Sequence, residues 1–202
     1  MENDLICISP KGATHRLLLL HGWGADADDL IPLGQDLIKR IPKRDIELVS
    51  LRAPQNHPEG YGRQWYGLFP PNWSEVPLAI SDLKTRIKLI CKEQISFEKT
   101  VVLGFSQGGA MALAVGTEMP LAGLIGCSAY PHPNWMPPNQ SPAVLLLHGV
   151  QDEVVPIQAA KALAASLQRN QVDVETCFFE GGHEIQPKTM EIIQRSLLKW
   201  FV

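Results

Sequence analysis

The residues with the clearest chemical potential are five consecutive positions, Gly104-Phe105-Ser106-Gln107-Gly108. They follow an apolar run and precede a stretch of small apolar residues that is typical of a buried helix. A G-x-S-x-G sequence between a strand and a helix is typical of a nucleophile elbow, a sharp turn that presents a serine hydroxyl at the end of a sheet. We therefore predict that Ser106 is a nucleophile.

A serine nucleophile needs a base to remove its proton and a carboxylate to orient that base. In hydrolases that carry this motif the partners follow in the order acid, then histidine. Three histidines follow Ser106, but no aspartate lies between Ser106 and His132 or His148, and the only glutamate there is Glu118, at the far end of the predicted helix. The predicted base is therefore His183, which lies in a glycine-rich segment near the C-terminus.

The predicted acid is Asp152, which comes shortly after an apolar strand that ends at Leu147. This position lies at the carboxyl end of the strand, where parallel sheets place their ligand sites. Glu153 is the alternative, because neighbouring loop residues are hard to rank from sequence. Asp173 and Glu175 alternate with less polar residues on a predicted edge strand, so we interpret them as solvent-facing.

Acyl transfer also requires hydrogen-bond donors for the developing oxyanion. We predict that one donor is the backbone N–H of Gln107, at the N-terminus of the helix, where the helix dipole also favours negative charge. The second is the backbone N–H of Trp23 in segment 20–24, whose glycines let the backbone approach a substrate. We interpret His21, and His148 in a similar Leu-His-Gly context, as structural residues that hold their loops.

Residues 61–73 are rich in aromatic side chains, prolines and glycines and follow a strand that ends near Ser50. A long irregular loop of this kind is more often functional than accidental. We predict that it forms one wall of an acyl or alcohol pocket, the alternative being a cluster packed under its own loop. The predicted substrate-binding residues are Trp65, Tyr66, Phe69 and Trp73, with Trp135 on the opposing side.

Short apolar runs alternate with longer amphipathic segments along the chain. Runs 17–20 and 144–147 are apolar at every position, which indicates strands covered on both faces, as in a parallel sheet between helices. We predict a single α/β domain over residues 1–202 without a separate cap domain, built on a doubly wound, mostly parallel sheet of about seven strands with helices on both faces. Strands are predicted at 5–8, 16–20, 46–50, 100–103, 123–127, 143–147 and 172–179, and helices around 30–41, 80–90, 110–115, 157–167 and 190–197.

The composition of the 202 residues, 45% hydrophobic and 19% charged, is that of an ordinary globular protein with one sizeable core. A net charge of -3 gives no electrostatic reason to expect nucleic acid or an anionic membrane as a partner. No apolar run approaches the length of a membrane span, and the N-terminus lacks a signal pattern, so we expect a cytoplasmic protein. The four cysteines are far apart, without a C-x-x-C pair, and are predicted to be buried reduced thiols.

Four segments together resemble the acyl-protein thioesterase/carboxylesterase family, also described as phospholipase/carboxylesterases. They are LHGWG at 20–24, GFSQGGA at 104–110, HGVQDEVVP at 148–156 and GGHEI at 181–185. The resemblance implies an α/β-hydrolase fold and hydrolysis of esters or thioesters without a metal or organic cofactor. It also implies Ser106 as nucleophile, Asp152 as orienting acid and His183 as base, with Trp23 and Gln107 as oxyanion donors.

Two departures from the family concern the substrate. Trp23 stands where the family more often has leucine, and Gly67 stands where an acid is common. Both leave the chemistry in place and count against long-chain acyl-protein specificity. A mostly apolar pocket suits a small or medium uncharged ester or thioester, with acylated proteins and lysolipids as further candidate substrates.

Two other functions compete with an esterase. A peptidase or amidase on the same fold would need a binder for a charged peptide terminus, and the sequence offers no obvious candidate beside the pocket. A catalytically silent ligand-binding protein typically lacks a member of the triad, whereas Ser106, Asp152 and His183 are all present. A cysteine nucleophile at the elbow is excluded because that position is a serine.

Overall fold

The central sheet contains seven strands in the computed structural model, which describes residues 4–42, 44–91 and 94–201. The strands are β1 (Leu5–Ile8), β2 (His15–Leu20), β3 (Ile46–Leu51), β6 (Thr100–Phe105), β7 (Gly123–Cys127), β8 (Val144–Gly149) and β9 (Val174–Phe179). Their order is β1-β3-β2-β6-β7-β8-β9. Only the β1–β3 pair is antiparallel, so the predicted mostly parallel sheet is confirmed.

Strand β9 begins two residues later than predicted. The backbone N–H of Val172 donates to the carbonyl of Leu167 at 3.0 Å, so it closes the end of the preceding helix instead of joining the sheet. Gln171, between them, has a φ of 60°, which turns the chain away from the helix. The alternation of apolar and polar residues that predicted this strand is therefore longer than the segment that pairs with β8.

Helices cover both faces of the sheet. They are α1 (Ile31–Lys39), α2 (Val76–Cys91), α3 (Gln107–Gly116), α4 (Ile157–Arg169) and α5 (Met190–Trp200). Leu18 and Leu20 of β2 pack into one core with α2, α3 and α4, whereas Leu17 and Leu19 pack into a second core with α1 and α5. The uniformly apolar run at β2 follows from this arrangement, because successive side chains of a strand point to opposite faces.

The aromatic segment is more regular than expected. β4 (Gln55–Asn56) and β5 (Arg63–Gln64) form a short antiparallel hairpin, so the prediction of an irregular loop was wrong for its beginning. The hairpin is attached to the loop after β2: Gly24 N–H donates to the Arg63 carbonyl at 2.9 Å, and Arg63 N–H donates to the Ala25 carbonyl at 2.7 Å. These bonds hold the aromatic segment against the loop that carries Trp23.

The cysteines are only partly as predicted. All four lie within the described residues and none of them is in a disulfide, but Cys7 is exposed on the edge strand β1 and Cys177 is half-buried. Cys91 and Cys127 are buried as expected, and burial raises the pKa of Cys127 to about 12. Within residues 4–42, 44–91 and 94–201, no helix has the length and apolar composition that crossing a membrane requires.

Candidate active site

Ser106 lies in a sharp turn between β6 and α3, with a φ of 54° that non-glycine residues rarely adopt. The flanking glycines make this turn possible by leaving space. A Cβ at Gly104 would lie 2.2 Å from the carbonyl oxygen of Gly108, and a Cβ at Gly108 would lie 2.2 Å from the carbonyl oxygen of Leu20. The G-x-S-x-G pattern is therefore required because strand, helix and the neighbouring β2 approach more closely than side chains permit.

The side chains of Ser106, His183 and Asp152 form a continuous hydrogen-bonded row. His183 Nε2 is 3.0 Å from Ser106 Oγ, and His183 Nδ1 is 2.8 Å from Asp152 Oδ2. The serine hydroxyl makes no capping bond to α3, so it remains directed at the imidazole. In this geometry the imidazole can accept the hydroxyl proton at Nε2 while the carboxylate accepts a hydrogen bond from Nδ1.

The loop after β8 holds the carboxylate of Asp152 in place. Its Oδ1 accepts hydrogen bonds from the backbone N–H groups of Val154, at 3.0 Å, and Val155, at 2.8 Å. Burial raises the pKa of Asp152, but the hydrogen bonds from Val155 and His183 outweigh it and hold the pKa below its ordinary value. Glu153 is exposed, and no hydrogen bond or ion pair joins it to His183 in the described part of the chain, so the geometry favours Asp152 over its neighbour.

The buried side chain of His148 is hydrogen-bonded to the same loop. Its Nε2 is 2.7 Å from the carbonyl oxygen of Val155, the residue whose N–H binds Asp152. The His148 ring is fully buried and lies 3.5 Å from Asp152 Oδ2 through Nε2. This position agrees with the structural role expected for His148.

The two predicted oxyanion donors lie beside the serine. Gln107 is the first residue of α3, so its N–H has no intrahelical acceptor, and no acceptor is found for it or for the N–H of Trp23 among the described residues. Gly22, next to Trp23, packs so close to Ser106 that a Cβ at Gly22 would lie 3.5 Å from the serine Cβ. Two unpaired backbone donors beside a nucleophile can receive the negative charge of a tetrahedral intermediate.

The Gln107 side chain binds the backbone of the aromatic segment. Its Oε1 accepts the N–H of Trp65 at 3.0 Å, and its Nε2 donates to the carbonyl of Tyr66 at 2.8 Å. Both bonds are buried, and the Gln107 side chain is inaccessible to solvent. The residue whose backbone N–H is a predicted oxyanion donor therefore also positions the aromatic segment beside the site.

A second bridge connects this segment to the loop that carries Trp23. The indole N–H of Trp65 donates to the carbonyl of His21 at 2.9 Å. His21 Nε2 accepts the backbone N–H of Ala53 at 3.1 Å, so the proton is on Nδ1, which donates to the Gly22 carbonyl at 2.8 Å. Burial lowers the pKa of His21, which keeps this ring neutral and agrees with the structural role predicted for it.

Ser106 opens on a largely apolar cavity of about 230 Å³. Phe69 and Trp73 line this cavity, as predicted from the sequence, together with Val155 and Ala159. Contrary to the prediction, its lining does not include Trp65, Tyr66 or Trp135. Trp65 and Tyr66 are 1% and 0% exposed because their backbone and polar atoms are hydrogen-bonded beneath the site, and Trp135 packs against the core on the α2 side of the sheet.

Tyr130, which lines the same space as Ser106, is among the cavity residues that the sequence analysis did not predict. The available signal was its place in the chain. Tyr130 comes three residues after β7 ends at Cys127, at the edge of the sheet where Ser106 and Asp152 also lie.

A second hollow of about 340 Å³ adjoins His183. Its apolar lining includes Phe105, whose ring centre is 4.8 Å from that of His183, and its rim carries the carboxylates of Asp29 and Glu184. One space therefore adjoins Ser106 and another adjoins the imidazole of His183. Such a pair can accommodate the acyl part and the leaving group of one substrate.

The comparisons with known proteins agree with this architecture. The family model described as phospholipase/carboxylesterase matches residues 2–201. Acyl-protein thioesterase 1 of Gibberella zeae is 31% identical over 95% of this chain and 94% of its own length, and the acyl-protein thioesterase 1 homolog 1 of Dictyostelium discoideum is 25% identical over the same shares. Among solved structures, esterase PE8 superposes with a TM-score of 0.84 at 26% identity, covering 98% of this chain and 97% of that chain.

The family and fold implied by the four sequence segments are thus confirmed. The match extends over almost the whole chain, and the relatives include named thioesterases and carboxylesterases. With the strand, serine turn and buried helix that serine hydrolases of this fold require, this chain belongs to the phospholipase/carboxylesterase family of α/β-hydrolases.

Proposed function

We propose that the protein hydrolyses carboxylic esters or thioesters through a covalent acyl-enzyme formed on Ser106. The observation that carries this proposal is the hydrogen-bonded row from the Ser106 hydroxyl through His183 to the buried Asp152. His183 takes the serine proton as Oγ attacks the carbonyl, then gives it to the departing alcohol or thiol. In the second half of the reaction His183 deprotonates a water molecule, which releases the acid and restores the serine.

The N–H groups of Trp23 and Gln107 support the same proposal, because both residues adjoin in the chain either Ser106 or the Gly22 that packs against it, and both groups have no acceptor among the described residues. Removing one such donor typically costs about 10²- to 10³-fold in rate. A role for a buried cysteine as nucleophile is disfavoured, because a thiol with a pKa of about 12, as at Cys127, is protonated at neutral pH.

The cavity beside Ser106 is the proposed acyl site, and its size favours short or medium acyl chains. Its volume of about 230 Å³ lies below the ~300–1,000 Å³ of pockets for drug-sized ligands. The leaving group is assigned to the hollow beside His183, which must protonate it. The relative from Gibberella zeae is named an acyl-protein thioesterase, which supports thioesters as candidate substrates beside oxygen esters.

The decisive experiment compares Ser106→Ala with the wild-type protein. We expect the wild-type protein to react with a fluorophosphonate and to hydrolyse p-nitrophenyl esters, and Ser106→Ala to do neither. Ser81→Ala, on the exposed face of α2, is the matched control and should keep both activities. Labelling that persists in Ser106→Ala, or an unreactive wild-type protein that is well folded, would overturn the proposal.

The acyl site is tested with p-nitrophenyl esters of two to sixteen carbons, run beside an acyl thioester. Ala159→Leu fills part of the cavity and should shift the preference to shorter chains, whereas Gln158→Leu, exposed on the same helix, should not. A matched pair of ester and anilide substrates separates an esterase from a peptidase or amidase.

A further inference from the structure

Three polar side chains form a hydrogen-bonded row behind the proposed acyl cavity. His132 Nε2 is 2.8 Å from the Tyr66 hydroxyl, and the Tyr66 hydroxyl is 2.7 Å from the Tyr130 hydroxyl. His132 and Tyr66 are buried, whereas Tyr130 is half-buried and lines the cavity that contains Ser106. The row therefore begins in the protein interior and ends at the substrate space.

The direction of these hydrogen bonds follows from the surroundings of His132. Its side chain is 6% exposed, and its Nδ1 has no hydrogen-bond partner among the described residues. Burial lowers the pKa of His132 to about 4, so the ring is neutral near pH 7 and carries one proton. A proton on Nδ1 would leave a buried N–H without an acceptor, an arrangement that folded proteins avoid more strictly than an unpaired acceptor.

The proton of His132 is therefore assigned to Nε2, which donates to the Tyr66 oxygen. Tyr66 then donates its own proton to the Tyr130 oxygen, because its oxygen is already the acceptor for His132. Burial raises the pKa of Tyr130 to about 12 and raises that of Tyr66 further, so both hydroxyls keep their protons at neutral pH. The Tyr130 proton is the one left without a protein acceptor in this row.

We propose that the Tyr130 hydroxyl donates a hydrogen bond into the acyl cavity and so favours acyl chains that carry an acceptor oxygen, such as an oxo group, a few atoms from the scissile carbonyl. This inference rests on the proposed esterase function. An unsubstituted alkyl chain displaces water from the Tyr130 hydroxyl and returns no hydrogen bond, whereas an acceptor oxygen replaces the lost water. The rest of the lining is mostly apolar, so this hydroxyl is the feature that distinguishes the two kinds of chain.

The test compares p-nitrophenyl hexanoate with its 3-oxo, 4-oxo and 5-oxo analogues, using kcat/KM for each. For each protein, kcat/KM for the oxo ester is divided by kcat/KM for the alkyl ester. The readout is this ratio in one protein divided by the same ratio in Tyr130→Phe, because this quotient cancels the intrinsic reactivity of the esters. At one position of the oxo group we expect this quotient to be about tenfold for the wild-type protein, the worth of one neutral hydrogen bond. A quotient near one at every position would overturn the proposal.

Two variants test the assigned donors and acceptors of the hydrogen bonds among His132, Tyr66 and Tyr130. His132→Leu removes the donor to Tyr66, so the Tyr130 proton can turn towards the Tyr66 oxygen, and the oxo preference should fall. Tyr61→Phe removes an exposed hydroxyl that bonds Glu59, and it should keep the wild-type ratio. An oxo preference that rises in folded His132→Leu would show the opposite direction and overturn the assignment.

The histidine tautomer provides an independent measurement that does not depend on activity. Nitrogen NMR of ¹⁵N-histidine-labelled protein should show the His132 proton on Nε2, and a proton on Nδ1 would contradict the inference. Loss of hydrolysis of every ester, or labelling that survives Ser106→Ala, would instead defeat the proposed function. The two failures are therefore distinguishable.

Discussion

The buried side-chain oxygen of Gln107 accepts the backbone N–H of Trp65 at 3.0 Å, which connects the start of α3 to the aromatic segment 42 positions earlier in the chain. The indole of Trp65 in turn binds the carbonyl of His21, in the loop that carries Trp23. The two backbone groups proposed as oxyanion donors, at Trp23 and Gln107, are thus held by one hydrogen-bonded bridge. Their separation depends on Trp65, a buried residue that does not line the cavity beside Ser106.

Gln107→Met is expected to weaken both folding and catalysis. The methionine has a similar volume, but it leaves the Trp65 N–H and the Tyr66 carbonyl buried without partners, at a cost of about 1–3 kcal/mol for each group. The backbone N–H of residue 107 remains, so a lower kcat/KM would report its displacement. Urea unfolding and p-nitrophenyl ester kinetics measure the two effects. Gln158→Met, at an exposed position of α4, is the control, and wild-type behaviour in both variants would contradict the bridge.

Asp152→Asn is expected to lower kcat by about 10⁴-fold with little change in the fold, because an amide stabilises the wrong tautomer of the neighbouring imidazole. Glu153→Gln removes the adjacent, exposed carboxylate and should keep the wild-type rate. Steady-state kinetics of the pair identify the acid that orients His183. If Glu153→Gln is the impaired variant, the role belongs to Glu153.

His132 is expected to make the fold less stable in mild acid. Its pKa is about 4 in the folded protein and near the ordinary 6.5 in the unfolded chain, so between these values the unfolded state binds more protons. The free energy of unfolding should therefore decrease as the pH falls from about 6.5 towards 4. His132→Gln lacks this contribution and should show a shallower decrease.

Urea unfolding of both proteins at pH 7.5 and pH 5 measures the difference. The buried His21, whose pKa is also lowered, contributes to the slope in both proteins and cancels in the comparison. An equal loss of stability in the two proteins would show that His132 does not titrate as described.

Gly62→Ala is expected to be far more harmful than Gly60→Ala, although both glycines have a positive φ, of +64° and +81°. Both alanines carry the backbone strain of the left-handed region, about 1–2 kcal/mol. At Gly62 the added Cβ would also lie 1.9 Å from the carbonyl oxygen of Gly24, whereas nothing lies within 4 Å at Gly60. Gly62→Ala should therefore push the hairpin away from the loop that carries Trp23 and lower kcat/KM as well as stability. Equal effects in melting temperature and kinetics would rule out this packing role.

The sheet and the elbow were predictable because their signals are local. The apolar run 17–20 in β2 indicates a strand that is covered on both faces. The small residues after Ser106 indicate a helix that packs closely against the sheet. Chain order then left His183 as the base for any catalytic serine at the elbow. His183 is hydrogen-bonded to Asp152, 31 residues before it, and to Ser106, 77 residues before it. These are the residues that the order of the chain had predicted as partners.

The choice between Asp152 and Glu153 belongs to the tertiary structure, because both follow β8 and differ only in which side chain turns inward. Backbone donors from Val154 and Val155 fix that direction. The strand beginning at Val174 was likewise decided by contacts, since the N–H of Val172 is used by the end of α4.

The pocket shows the limit of composition most clearly. Trp65 and Phe69 are four residues apart in one aromatic segment, yet Trp65 is 1% exposed and Phe69 is 65% exposed beside the cavity. Aromatic content, together with the position after a predicted strand, led to the prediction that this segment adjoins the site. Which rings face the substrate was decided by distant partners, Gln107 and His21, which bind Trp65 and turn it inward. Side-chain direction depends on such long-range hydrogen bonds, and these exist only once the chain has folded.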